Sequence, residues 1–238
     1  MSSYPIFFEY LLQPSPADAI IFFDGFPSRY YKDDVLFFLY SKGYHVFFPR
    51  YRGTYQSGGK FLQTNVVSDF SRFMKKLNKG RVKNLWDGKT ERFKIKRNIL
   101  LANSFGGTLA LGLAAKTKRF SHLILVATWD FEEDHNTKPI TMFTKRAFKN
   151  LYRFDFDDVK PSLKRMKELS KSYYTSRLDI PILAFHNPED KTVPISHTRG
   201  LARRVKNVKV IEHRFGHPIT RDLLKAVDKD IERFLKKK

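Results

Sequence analysis

The chain has 238 residues, of which 42% are apolar, including 23 Phe and 11 Tyr; it is long enough to bury a full core and too apolar to stay disordered. It contains no cysteine, which excludes disulfides, thiol catalysis and cysteine-ligated zinc. Lys and Arg number 45 against 24 Asp and Glu, a net charge of +21 that attracts anions to the surface.

At the start, MSSYPIFFEYLL has no basic leader segment and carries Glu9 inside its apolar run, so no signal peptide is expected. No apolar run nears the roughly 18 residues of a membrane span, and the cytoplasm is the default location. Ile6 to Leu12 reads as a strand closed by Gln13-Pro14-Ser15-Pro16, and Ala19 to Phe23 as a buried strand running into Asp24-Gly25-Phe26-Pro27. A helix is predicted over Asp33 to Ser41, then a strand over Tyr44 to Phe48. Val66, Phe70, Phe73, Met74 and Leu77 recur with helical spacing. Arg81 to Arg97 is charged and reads as a surface excursion.

Ile99 to Ala102 is a short apolar run fit for a buried strand, and Thr108 to Ala115 is a small-residue helix. His122 to Ala127 is the next buried strand. Residues 130–178 carry two helical patterns and no strand pattern: Ile140, Phe143, Ala147 and Leu151, then Val159, Leu163, Met166 and Tyr173, with Asp157 or Asp158 as cap and Pro161 in the first turn. Strand character resumes at Ile182 to Phe185, a helix follows over Ser196 to Val205, and Val208 to Ile211 is the last strand. The closing helix has Thr220 as N-cap and lines up Leu223, Leu224, Val227, Ile231, Phe234 and Leu235 on one face. Strands alternating with helices in this rhythm predict an α/β fold: a mostly parallel sheet of about six to seven strands with helices on both faces.

The stretch Ala102-Asn103-Ser104-Phe105-Gly106-Gly107 lies between a strand and a helix. A serine on so sharp a turn needs small residues two places before and after it, and Ala102 and Gly106 meet that need. The pattern is G-x-S-x-G with alanine in the first small position, and here the chain resembles the alpha/beta-hydrolase family. The resemblance covers about nine tenths of the chain. It implies a nucleophilic Ser104 in a core of residues 1–129 and 179–238, with residues 130–178 as a helical cap over the active site; an ordinary helical crossover is the alternative for that insertion.

In that family the acid and the histidine follow the serine in loops after later strands. Pro188-Glu189-Asp190-Lys191-Thr192-Val193-Pro194 resembles the acid loop, which makes Asp190 the acid, with Asp130 as the rival position. His217, preceded by Gly216, resembles the catalytic histidine; His213 and His186 are rivals. The resemblance also implies backbone N–H donors for an oxyanion from Phe105 and Phe26, the latter in a Gly25-Phe26 loop where relatives carry His-Gly. Asp24 stands in place of that histidine, and a carboxylate there opposes a developing oxyanion unless paired. Arg50 or Arg52, in the loop Pro49-Arg50-Tyr51-Arg52-Gly53, is the expected partner.

These residues together predict a serine hydrolase acting on carboxylic esters of small to medium acyl groups through an acyl-enzyme. The stretch from Pro49 to Phe61 is reminiscent of feruloyl-esterase-type carboxylesterases and of prolyl-oligopeptidase-like catalytic domains. The aromatics Trp129, Phe131, Phe143, Phe148, Tyr152, Phe154 and Phe156 suit an apolar acyl group, although packing of the insertion onto the core explains most of them. No cofactor or metal is expected. The alternatives are a serine peptidase or acylaminoacyl hydrolase, and a non-catalytic basic binding protein on the same fold. The basic residues are dispersed, without aromatic interleaving or a zinc-finger, RRM or KH pattern, so nucleic acid is a disfavoured partner. The oligomeric state is left open.

Overall fold

Apolar runs too short for helices build the centre of the molecule. In the computed structural model, residues 6–28, 30–133, 151–154, 161, 164 and 178–236 are described. In chain order the elements are β1 (Phe8–Leu11), β2 (Ala17–Phe23), α1 (Asp33–Ser41), β3 (His45–Pro49), α2 (Val66–Leu77), β4 (Arg81–Lys83), β5 (Thr90–Arg92) and β6 (Ile95–Asn103). Then follow α3 (Phe105–Lys116), β7 (His122–Val126), β8 (Ile182–His186), α4 (Ser196–Arg204), β9 (Val208–Glu212) and α5 (Arg221–Leu235).

Seven strands form one sheet in the order β1-β3-β2-β6-β7-β8-β9. All neighbours run parallel except β1, which lies antiparallel to β3. The central strands are buried on both faces, which is why β2, the second half of β6 from Ile99, β7 and β8 read as apolar runs instead of alternating ones. One face packs α2 and α3 through Phe70, Phe73, Leu109 and Leu113. The other packs α1 and α5 through Val35, Leu39, Leu223, Leu224 and Val227. Side-chain caps start two of these helices: Asn65 Oδ1 accepts from Ser68 N at 3.2 Å for α2, and Thr220 Oγ1 accepts from Leu223 N at 3.2 Å for α5.

The charged stretch Arg81 to Arg97 is mostly exposed, and it carries structure beyond a plain surface excursion: β4 and β5 pair as a small hairpin, and β6 begins at Ile95. The period-2 pattern is hard to see because Val82 is the single buried residue between exposed Arg81 and Lys83. The helices expected within 130–178 fall largely outside the described residues. Residues 151–154 are described and run along the 53–61 loop, with Arg153 N donating to Gly53 O at 2.7 Å and Phe61 N to Arg153 O at 2.6 Å. Tyr152 is buried there, packed on Phe26, Phe61 and Tyr55.

That loop is anchored to α2 by a buried ion pair. Arg52 donates from Nε and Nη2 to the two Asp69 oxygens at 2.8 and 2.7 Å, and Thr64 and Arg72 complete the shell around Asp69. Burial opposes the charge of Asp69, but the hydrogen bonds from Arg52, Thr64 and Arg72 outweigh it and hold the carboxyl below its ordinary value. A lowered native pKa means that this contribution to stability is complete above about pH 4 and is lost as pH falls through the native value. Urea unfolding of Asp69→Asn should show a loss of about 3 kcal/mol at pH 7, because Arg52 is left buried without its partner. The gap to wild type should narrow below about pH 4.

Candidate active site

The end of β6 and the start of α3 leave one residue for the turn between them, Ser104, whose φ of 52° and ψ of −120° lie where L-residues are strained. Three backbone hydrogen bonds hold it: Ser104 N donates to Val126 O at 2.9 Å, and Ser104 O accepts from Gly107 N at 2.9 Å and Trp129 N at 3.1 Å. The space around the turn explains the small residues in the sequence. A Cβ on Gly106 would lie 2.3 Å from the Phe23 carbonyl oxygen and 2.7 Å from that of Asp24. Ala102 is fully buried in β6, opposite Phe23 in β2 and Leu125 in β7. Gly25 faces Ser104 so closely that a Cβ there would sit 3.2 Å from the serine Cβ.

The loops after β8 and β9 bring Asp190 and His217 together. His217 Nδ1 is 2.7 Å from Asp190 Oδ2, and Asp190 Oδ1 accepts from the amides of Thr192 and Val193 at 2.7 and 3.1 Å. Burial raises the cost of charging Asp190, yet the bond from His217 and the two amides prevail, so its carboxyl is held below the ordinary value. With Nδ1 donating to a carboxylate, Nε2 is the ring nitrogen left to accept a proton. Asn103, next to the serine, donates to Val126 O and His217 O, each at 3.0 Å, and so ties the histidine loop to the elbow. Ser104 and His217 line one cavity of about 690 Å³; among the described residues no hydrogen bond joins them.

The rival residues have other engagements. Asp130 pairs with Arg204 at 2.9 Å. His186 is fully buried, with Nδ1 2.6 Å from Thr198 Oγ1 and Nε2 2.9 Å from Val193 O, and burial lowers its pKa. His213 Nδ1 accepts from Phe215 N at 3.0 Å.

The N–H groups of Phe26 and Phe105 have no protein acceptor among the described residues. The Phe26 ring stacks on Phe61, meets Tyr152 edge to face and lines the same cavity as Ser104. Asp24, at the root of that loop, is held on three sides. Its Oδ1 accepts from Gly25 N at 2.9 Å, its backbone carbonyl accepts from the buried Tyr51 hydroxyl, and its Oδ2 lies 3.1 Å from Lys32 Nζ. The expected arginine partner is therefore corrected. Arg50 instead binds Glu9 and the Tyr30 carbonyl and stacks on Phe48, while Arg52 binds Asp69. Lys32, the residue before α1, reaches Asp24 across the end of β2, with its Nζ also 6.0 Å from the Phe22 ring centroid.

Lys32, Tyr51 and Asn103 are the site-building residues that motif reading missed. Asn103 is legible as the residue before the serine, whereas Lys32 has no spacing rule to betray it. Both partners of the Asp24–Lys32 pair are buried, at 4% and 9% side-chain exposure, so removing one leaves an uncompensated charge. Asp24→Asn and Lys32→Met should each cost about 3 kcal/mol in urea unfolding, and the double substitution should cost less than their sum.

Protein-family models give no match to this chain, nor does a comparison with curated protein sequences. Solved structures do match. A structure of ferulic acid bound to Est1E from Butyrivibrio proteoclasticus superposes with a TM-score of 0.68 at 14% identity, covering 98% of this chain and 96% of that one. Mouse alpha/beta hydrolase domain-containing protein 10 gives 0.64 at 18% identity, with 98% and 99% covered. An esterase from Pyrococcus furiosus gives 0.65 at 16% identity, with 98% and 91% covered. With the sheet order, the parallel register and the serine on its strand-to-helix turn, these matches show that the chain has the alpha/beta-hydrolase fold.

Proposed function

We propose that the protein is a serine hydrolase of carboxylic esters with small to medium acyl groups, working through Ser104, His217 and Asp190. The observation that carries this reading is the position of Ser104: a strained turn opening into the cavity that also holds His217, whose Nδ1 is bonded to the buried Asp190 carboxylate. In this scheme Ser104 Oγ attacks the ester carbonyl carbon while His217 Nε2 takes the hydroxyl proton. Asp190 holds the imidazole in the tautomer that leaves Nε2 free to accept and stabilises the imidazolium that forms. The proton is then given to the leaving alkoxide, and water repeats the sequence in reverse on the acyl-enzyme.

The developing oxyanion needs donors that are already oriented and lack another acceptor. The Phe26 and Phe105 amides fit that role in the scheme, and pairing with Lys32 offsets the negative charge of Asp24 beside them. Phe26, Pro27, Tyr31, Pro218 and Ile219 give the cavity an apolar lining, which favours an apolar acyl group over a charged one. The structure of Est1E with ferulic acid supports a carboxylic ester as substrate by analogy of fold. Residues 130–178, as a cap over this cavity, belong to the same proposal.

Hydrolysis of p-nitrophenyl acetate and butyrate tests the reading directly. Ser104→Ala should lower turnover by about 10⁴-fold or more and abolish labelling by a fluorophosphonate. Asp190→Asn should leave labelling detectable but slow, with kcat down by about 10⁴-fold, since the imidazole is then held in the wrong tautomer. Wild-type protein that neither turns over nor labels would remove the proposal. Turnover of an acylaminoacyl p-nitroanilide in preference to the esters would move it from esterase to peptidase.

A further inference from the structure

Among the described residues, three strongly exposed apolar side chains, Trp86, Leu85 and Phe37, gather away from the candidate active site, at one edge of the sheet. β1 is an edge strand: β3 covers one of its sides, and among the described residues no strand covers the other. Along that edge runs a groove of about 590 Å³ with two walls. Leu36, Phe37 and Tyr40 of α1 form one, and Asn84, Leu85 and Trp86 of the β4–β5 hairpin form the other. Trp86 is 99% exposed, Leu85 75% and Phe37 60%. Large apolar groups gathered this way and left in water mark a surface that something covers.

The floor of the groove determines what kind of ligand it suits. A free strand edge presents a row of N–H and C=O groups, for which another extended backbone is the natural partner. Side chains of β1 alternate between the two walls: Phe8 packs on Phe73 and Tyr10 bonds Glu91 at 3.0 Å on the hairpin side, while Leu11 packs with the α1 cluster. A strand added to β1 would likewise send successive side chains to the two walls.

Charge narrows the choice further. The charged residues lining the groove are Glu9, Asp33 and Glu91, with no Lys or Arg among them, on a chain where basic residues outnumber acidic ones by 45 to 24. Arg50 neutralises Glu9, and Asp33 sits in the first turn of α1. Glu91 accepts from Tyr10 and from Asn84, and its charge adds to burial in pushing the Tyr10 phenol up to about 12. A second copy docking edge to edge would bring Asp33 and Glu91 against their own images, and these two carboxylates would repel an anionic lipid surface. A cationic partner meets no such cost.

We infer that this groove binds an extended segment of a partner protein, alternating apolar and cationic residues, as an additional strand on β1. Trp86 provides the readout, because the only other tryptophan, Trp129, is buried at 4% exposure. The full-length protein would be titrated with acetyl-KVKFKVK-amide, with the charge-reversed acetyl-EVEFEVE-amide, and with two forms of the first peptide N-methylated on alternate sets of amides. Expected is a saturable blue shift of Trp86 emission with the cationic peptide and none with the acidic one. One N-methylated form should bind about tenfold more weakly than the other, since only one set of amides faces β1. Phe37→Lys and Leu85→Lys, on opposite walls, should each weaken binding by about tenfold while far-UV circular dichroism stays unchanged.

An unshifted emission would overturn the inference, as would equal response to both charge types or to both N-methylated forms. So would a concentration-dependent dimer in sedimentation equilibrium that itself shifts Trp86, or a shift with phosphatidylglycerol vesicles and none with the peptide.

Discussion

The close approach of the β2 exit to the β6–α3 turn is the constraint on which the rest of the site depends. Parallel pairing of β2 with β6 ends both strands side by side, Phe23 opposite Ala102. The next residue of β6 must turn into a helix against the carbonyls of Phe23 and Asp24, and only a residue without Cβ fits at Gly106. Ser104 is pushed into positive φ as a result, and Gly25 is held against it from the other strand. The strain, of order 1–3 kcal/mol, is offset by hydrogen bonds in which Ser104 N donates to Val126 O of β7 and Ser104 O accepts from Trp129 N in the loop after it.

Electrostatic sorting inside a strongly basic chain is the second organising fact. Each carboxylate buried near the site has a cation or a donor cluster of its own: Asp24 has Lys32, Asp69 has Arg52 and Arg72, and Asp190 has His217 with two amides. Buried charges of either sign are expensive alone, so these pairings place loops as firmly as apolar contacts do. The 49–61 loop illustrates this. Arg50 reaches to β1 through Glu9, Arg52 to α2 through Asp69, and Tyr51 between them holds the Asp24 carbonyl. One short segment thereby braces an edge strand, a helix and the loop that carries Phe26.

The acidic, apolar groove beside β1 sits at the opposite extreme of the same surface. The hairpin that walls it arises where the sequence is densest in charge, and it carries Trp86 and Leu85 into water at its tip. Its distance along the sheet from the serine separates two kinds of surface: a concave pocket at the carboxyl ends of the parallel strands, and an open backbone edge.

Much of this was legible from the residues alone. Short apolar runs alternating with amphipathic helices imply a parallel sheet joined by helical crossovers; β2, β7 and β8 follow those runs closely, while β6 extends the run Ile99 to Ala102 back to Ile95. The small residues around Ser104 announce a sharp turn, since the demand for space is local in sequence. The pairing of charges was not legible. The sequence points Asp24 to an arginine of the loop after β3, yet it lies against Lys32, because a salt bridge depends on how the start of α1 meets the end of β2, which no spacing along the chain encodes. The β4–β5 hairpin was hidden for a related reason: with Val82 its only buried residue, its strands are held by backbone pairing more than by an apolar face, and that pairing exists only once the chain has folded back on itself.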